Sequence, residues 1–111
     1  MIEKILLEYM DDAIDVPVYM TRPENVPGRY VLIEKTGGER RDKLNASTFA
    51  FQSYAPTLLG AAELNEAVKE AVDSFAVLPE VASSKYSTDY NFTNPAGKQP
   101  RYQAIFKIYH Y

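Results

Sequence analysis

The side chains in this 111-residue chain that could do chemistry are few and scattered. His110 is the only histidine, and the absence of cysteine excludes both disulfides and thiolate metal sites. Catalysis by a nucleophile or by an acid and a base normally joins a reactive group to a base and an orienting group. The sequence places no such companions around His110, so we interpret it as a structural or surface residue.

Two other patterns each have some features of a ligand site, one of a cation site and one of a phosphate-binding loop. Asp11, Asp12 and Asp15 form an acidic cluster, but the loop of alternating oxygen ligands that a hard cation needs does not follow it. Gly37-Gly38 precedes a basic run, whereas a phosphate-binding loop of the Walker type leads its lysine and hydroxyl into a helix. Here a strand pattern follows, so we expect neither a metal nor another cofactor.

Length and composition predict one domain, residues 1–111, with a single core. Hydrophobic residues make up 46% and charged residues 24% of the chain, as in globular proteins. The net charge of −3 argues against a general nucleic-acid binder. The first residues do not resemble a signal peptide, and no apolar run reaches the roughly 20 residues of a membrane span, so we expect an ordinary cytosolic compartment.

Hydrophobic periodicity predicts an α+β fold in the order α-β-β-β-α-β-β, an antiparallel sheet with both helices on one face. Leu78-Pro79 ends the second helix, and Thr57 is its expected N-cap. Pro17 places the first strand at an edge. The predicted helices are Ile2–Ala13 and Thr57–Phe75, and the predicted strands are Asp15–Met20, Tyr30–Lys35, Leu44–Tyr54, Ser83–Asn91 and Arg101–Tyr111.

Two polar connections supply the candidate interface residues. The first, Thr36–Lys43, joins two strands as an extended hairpin tip that carries Arg40, Arg41 and Lys43. The second is the loop before the last strand, with Lys98 and Arg101. Mixed charge in the first loop suits a contact between subunits, with Arg40 and Arg41 facing acids on the outer side of the second helix. Nine tyrosines exceed what a two-helix core readily buries, so some are expected at a protein contact.

The order of elements resembles the small proteins of tailed-phage and prophage gene clusters that terminate the tail tube or join it to the head. The segments that carry this resemblance cover most of the chain. They are patterns of strands and helices, without catalytic motifs, so individual binding residues do not carry over. The segments are Arg29–Lys35, Phe49–Tyr54, Ala61–Val68 and Tyr102–Ile108.

The resemblance implies a structural virion protein, without enzymatic activity or cofactor, whose copies form a ring, six-fold if it follows the family. It implies that tail-tube and head-connector proteins are partners, that DNA passes through without specific binding, and that no membrane is involved. The protein would occupy the host cytoplasm during assembly and then the virion tail. Ring size, and the choice between terminator and connector, stay open.

A small-ligand-binding or enzymatic α+β domain is the alternative, with Asp89, His110 and the tyrosines lining a cleft. A third possibility is an adaptor unrelated to virions. An enzyme is expected to show a cleft with titrating groups of perturbed pKa, whereas a terminator is expected to show ring assembly and a tyrosine-rich rim.

Overall fold

A computed structural model describes residues 1–97 and 99–111 and confirms the α+β class. Two helices and five strands account for most of the described chain, and a short 3₁₀ turn follows the second helix. The elements are α1 (Ile2–Ala13), β1 (Val18–Tyr19), β2 (Tyr30–Arg41), β3 (Leu44–Tyr54), α2 (Leu58–Asp73), the turn Phe75–Val77, β4 (Val81–Asn91) and β5 (Arg101–His110).

The strands form one sheet in the order β1-β2-β3-β5-β4. β1 lies at an edge, as Pro17 predicted, but it is only two residues long and pairs parallel to β2, whereas the other pairs are antiparallel. The Pro17 carbonyl accepts a hydrogen bond from the Val31 amide at 2.9 Å, so Pro17 contributes its acceptor to the sheet although it has no N–H to donate. The sheet is therefore mixed at this edge.

The expected long hairpin loop Thr36–Lys43 is wrong, because β2 continues through Gly37 and Gly38 to Arg41. A β-bulge between Lys35 and Gly37 absorbs one extra residue, after which pairing with β3 resumes. The connection is reduced to Asp42 and Lys43, which have φ of 51° and 69°. Two positive φ angles at the centre of a two-residue hairpin loop are typical of a type I′ turn.

Both helices form where their apolar stripes predicted. Ile2, Leu6 and Met10 are the buried residues of α1 and lie three to four positions apart, on one side of the helix. The Thr57 side chain accepts a hydrogen bond from the Gly60 amide at 3.0 Å, which confirms Thr57 as the N-cap of α2. Leu64, on the buried side of α2, is 2% exposed.

The hydrophobic core lies between the helices and one face of the sheet. Ile33, Phe51 and Ala104 stand opposite one another on β2, β3 and β5, so they share this face. Phe49 and Phe106 form the next row, and all five side chains are buried against the helices. The same register places the alternate residues of each strand on the opposite face, which neither helix covers.

Candidate protein interface

The face of the sheet that the helices leave uncovered is called here the open face. It mixes aromatic, aliphatic, amide and charged side chains in rows that cross four strands. Tyr90 is 40% exposed and Tyr109 is half-buried on this face, and tyrosine is enriched at protein interfaces. Its residues are Tyr30, Leu32, Glu34, Glu39, Arg41, Leu44, Ala46, Thr48, Ala50, Gln52, Tyr54, Ser83, Lys85, Thr88, Tyr90, Arg101, Gln103, Ile105, Lys107 and Tyr109.

Two glutamines at the centre of the open face connect all four of its long strands. The Gln52 amide donates to Gln103 Oε1 at 2.9 Å and, at 3.4 Å, to the Glu34 carboxylate. Gln103 in turn donates to the Tyr90 hydroxyl at 2.7 Å. Gln52 and Gln103 are only 5% and 7% exposed although no helix lies above them. Hydrogen-bonded amides of this kind restrict the side-chain positions at the centre of the open face.

Arg101, a predicted interface residue, is the first residue of β5 and is half-buried. Its Nη1 donates to the Tyr54 hydroxyl at 2.8 Å, and its Nε donates to the Phe92 carbonyl at 2.6 Å. The guanidinium carbon also lies 4.5 Å from the centre of the Phe92 ring, a cation–π distance. Arg101 therefore ties the loop after β4 to the open face. Lys98 lies outside the described residues.

Arg40, Arg41 and Lys43 are exposed at the end of the β2–β3 hairpin. None of the three forms an ion pair with another described residue. Beside them, Lys107 Nζ lies 2.7 Å from Glu39 Oε1 on the open face. This hydrogen bond lowers the pKa of Glu39 and raises that of Lys107. The structure thus groups three of the predicted basic residues at one end of the molecule.

Asp89 is the centre of a polar cluster between α2 and β4, on the helix-covered side of the sheet. Its carboxylate accepts hydrogen bonds from the Tyr86 hydroxyl, from Asn65 Nδ2 at 2.8 Å and from Lys69 Nζ at 3.0 Å. Tyr86 first, and then Lys69 and Asn65, hold the pKa of Asp89 below its usual value. With every partner on α2 or β4, the cluster attaches the helix to the edge strand.

His110 is 8% exposed at the end of β5, and its Nε2 lies 2.8 Å from the Ser47 hydroxyl on β3. Burial, with a smaller contribution from the Lys35 charge, lowers the pKa of the imidazole. This buried position, bonded to a neighbouring strand, fits the structural interpretation of His110.

Asp89 and His110 do not line a common cleft. Asp89 pairs with Ala104 in the sheet register, six residues along β5 from His110, which corresponds to about 20 Å. The acids Asp11, Asp12 and Asp15 lie on or just after α1, and within the described residues no three histidine or acidic side chains are grouped closely enough to bind a metal ion. The arrangement required by the ligand-binding alternative is therefore not assembled from these residues.

The tyrosines divide between buried and exposed positions. Tyr30 and Tyr54 are buried and stack with ring centres 4.4 Å apart, whereas Tyr86, Tyr90 and Tyr111 are 49%, 40% and 75% exposed. Sequence reasoning did not single out Gln52 and Gln103. The sequence shows one glutamine in each of two predicted strands. That the two side chains meet follows only once β3 and β5 are known to be neighbours.

No protein-family model matches this chain, and no curated protein is similar enough to it to count as a relative. The resemblance to tail-terminating and head–tail joining proteins therefore rests on the order of elements and on the segments named above. In the described residues, neither helix is long and apolar enough to cross a membrane.

Proposed function

We propose that this protein is a structural subunit of a tailed-phage or prophage particle, a tail terminator or head–tail joining protein that assembles as a ring on the end of the tail tube. The observation that supports this proposal is the open face, a sheet surface that no helix covers and whose central side chains, Gln52 and Gln103, are hydrogen-bonded to each other. A small domain that leaves such a face free and ordered suits a protein that works by contact.

The location of the polar groups agrees with this function. Asp89 and His110, the residues with the chemistry that a catalyst would need, are both engaged in holding strands and a helix together. In the proposal they contribute stability, while the open face and the basic hairpin end contact other subunits. Tail-tube and head-connector proteins are the proposed external partners, and the ring is proposed to be a hexamer.

DNA is proposed to pass through the ring without being gripped. The overall charge of −3, and the acidic Asp42 among the basic residues of the hairpin end, support weak rather than strong attraction to phosphates. Neither feature would allow the protein to recognise a particular base sequence.

Removal of the gene from the phage or prophage that encodes the chain tests this function. Without the protein, we expect tails of unregulated length and heads that fail to join tails, both visible by electron microscopy, and we expect a plasmid copy of the gene to restore normal particles. Normal-length tails joined to heads in the deletion strain would overturn the proposal.

A further inference from the structure

Charge is strongly segregated between the helical part of the chain and the rest. Residues 1–20 and 57–80, which contain both helices, carry ten acidic and two basic side chains, a net charge of −8. The remaining residues, mostly sheet, carry five acidic and ten basic side chains, a net charge of +5. Two copies of this chain would therefore attract each other when the helices of one meet the basic end of the other.

A groove of about 680 Å³ lies on the helical side, between α1 and α2. Its lining is apolar at Leu64 and Ala67, and the acids Asp15, Glu63 and Glu70 also contribute to it. All three acids are exposed and form no ion pair with another described residue. The remaining lining residues are Tyr9, Ala13, Ile14, Arg29, Ala71 and Ser74, of which Arg29 is the only basic one.

The end of the β2–β3 hairpin, Arg40–Lys43, has the complementary properties. It is narrow because only two residues connect the strands, and the type I′ geometry fixes its shape. A backbone that already has a defined turn loses little backbone entropy when it binds. Its charges are three basic and one acidic, against three acidic and one basic in the groove, so that Asp42 would have Arg29 as a partner.

We propose that the groove between α1 and α2 binds the hairpin end, Arg40–Lys43, of a second copy of the same chain. The proposal specifies the subunit contact of the ring and so rests on the proposed function. The basic side chains of the hairpin end face Asp15, Glu63 and Glu70, and the aliphatic part of those side chains covers Ala67 and Ala71.

The hairpin end and the groove lie on different parts of one copy, so the contact is heterologous. Each pairing leaves a free groove on one copy and a free hairpin end on the other, and repetition gives a ring if the rotation closes. The charged pairs are exposed and contribute about 0–1 kcal/mol each, so we expect weak association that salt weakens further.

Disulfide cross-linking tests the contact directly, because the natural chain has no cysteine to interfere. Lys43→Cys in one preparation and Ala67→Cys in another place one thiol on the hairpin end and one in the groove, both at exposed positions. Ser87→Cys, exposed on β4 and outside both surfaces, is the matched control. Under mild oxidation we expect the Lys43→Cys and Ala67→Cys mixture to give about tenfold more mixed dimer than the Lys43→Cys and Ser87→Cys mixture. Equal yields would overturn the proposal.

Charge reversal provides an independent measurement on proteins without cysteine. Arg41→Glu and Glu70→Arg are each expected to weaken self-association about two- to fivefold in sedimentation at low salt, and the double variant is expected to recover most of that loss. Thermal unfolding of the same variants checks that the fold is retained. No recovery in the double variant would contradict a direct Arg41–Glu70 approach and overturn the proposed orientation.

Other occupants give different results. If the hairpin end binds DNA, Arg41→Glu lowers affinity for a duplex and leaves self-association unchanged, which would overturn the proposal.

The result for the subunit contact can be distinguished from the result for the proposed function. Cross-linking in the groove together with normal tails in the deletion strain would support the contact and refute the role in the tail, whereas defective tails without cross-linking would do the reverse.

Discussion

Lys69 on α2 and Asp89 on β4 form an ion pair of 3.0 Å that joins the second helix to the edge strand of the sheet. The Asp89 side chain is 17% exposed, and the amide of buried Asn65 donates to the same carboxylate oxygen at 2.8 Å. The pair therefore stabilises the packing of α2 on β4, and loss of the Asp89 carboxylate would leave both Lys69 and Asn65 without this acceptor.

Replacement of Asp89 is expected to lower stability and to change its dependence on acid. Asp89→Ala leaves the Asn65 amide without this acceptor, at a cost of about 1–3 kcal/mol in the free energy of unfolding. Because the folded-state pKa of Asp89 is lowered, its contribution is present above the unfolded pKa of about 3.9 and is lost as pH falls through the folded value. Melting temperatures of wild type and Asp89→Asn, measured from neutral pH to about pH 2, should therefore converge in acid. A constant difference would contradict the assignment.

His110→Gln is expected to remove a second pH dependence at a higher pH. The folded-state pKa of His110 is lowered by burial, so the unfolded chain binds more protons once pH falls below about 6.5. Wild type should then lose stability between about pH 6.5 and pH 5, and the variant, which keeps an amide near Ser47, should lose less. Denaturant unfolding at these pH values measures the difference. Tail assembly by His110→Gln should remain normal, because the imidazole is buried and its Nε2 is hydrogen-bonded to Ser47.

Leu64→Ala is expected to lower the free energy of unfolding by about 2–5 kcal/mol, because Leu64 is 2% exposed in the core and truncation leaves a cavity. Leu59→Ala is the matched control, since Leu59 lies on the same helix but is 70% exposed. Its effect should stay within about 0.5 kcal/mol. Urea unfolding of both variants decides the point, and similar losses would mean that the register of α2 is wrong.

The stability of Lys43→Gly tests whether residue 43 has the positive φ of a type I′ turn. A lysine with φ of 69° carries a steric cost of about 1–2 kcal/mol that glycine avoids, and glycine loses about 0.5–1 kcal/mol through its greater freedom in the unfolded chain. The variant should be as stable as wild type or more stable by up to about 1 kcal/mol. Lys43→Val, β-branched at a positive φ, should be less stable by about 1–3 kcal/mol. A more stable valine variant would contradict the type I′ turn.

The two helices could be predicted because each has one apolar side with a regular period, as in Ile2, Leu6 and Met10. The strands could be predicted from runs of β-branched and aromatic residues, as in Tyr30-Val31-Leu32-Ile33. The extent of β2 could not. Gly37 and Gly38 suggested a loop, yet neither has a positive φ, and both pair with β3 after the bulge at Lys35. Pairing with Thr48 and Ser47 decides their conformation, and a local pattern does not contain that information.

The candidate interface was predictable only in its charged part. Arg40, Arg41 and Lys43 were recognisable as exposed basic residues on a hairpin. The open face depends on β3 and β5 being neighbours, which brings Gln52 and Gln103 together across 51 residues of sequence. The groove likewise depends on how α1 crosses α2. Arg101 was expected to start the last strand, which it does, but the bonds of its side chain to Tyr54 and Phe92 could not be predicted from the sequence.

Cryo-electron microscopy of purified tail tubes, prepared from a strain lacking this gene and mixed with the purified protein, shows whether the protein forms a ring on the tube end. We expect a closed ring of additional density at one end of each tube, with the helical layer of each subunit against the β2–β3 hairpin of its neighbour. Arg41→Glu should give fewer occupied ends than wild type at the same protein concentration. Tube ends that stay bare at concentrations where the protein is folded and self-associated would contradict the account.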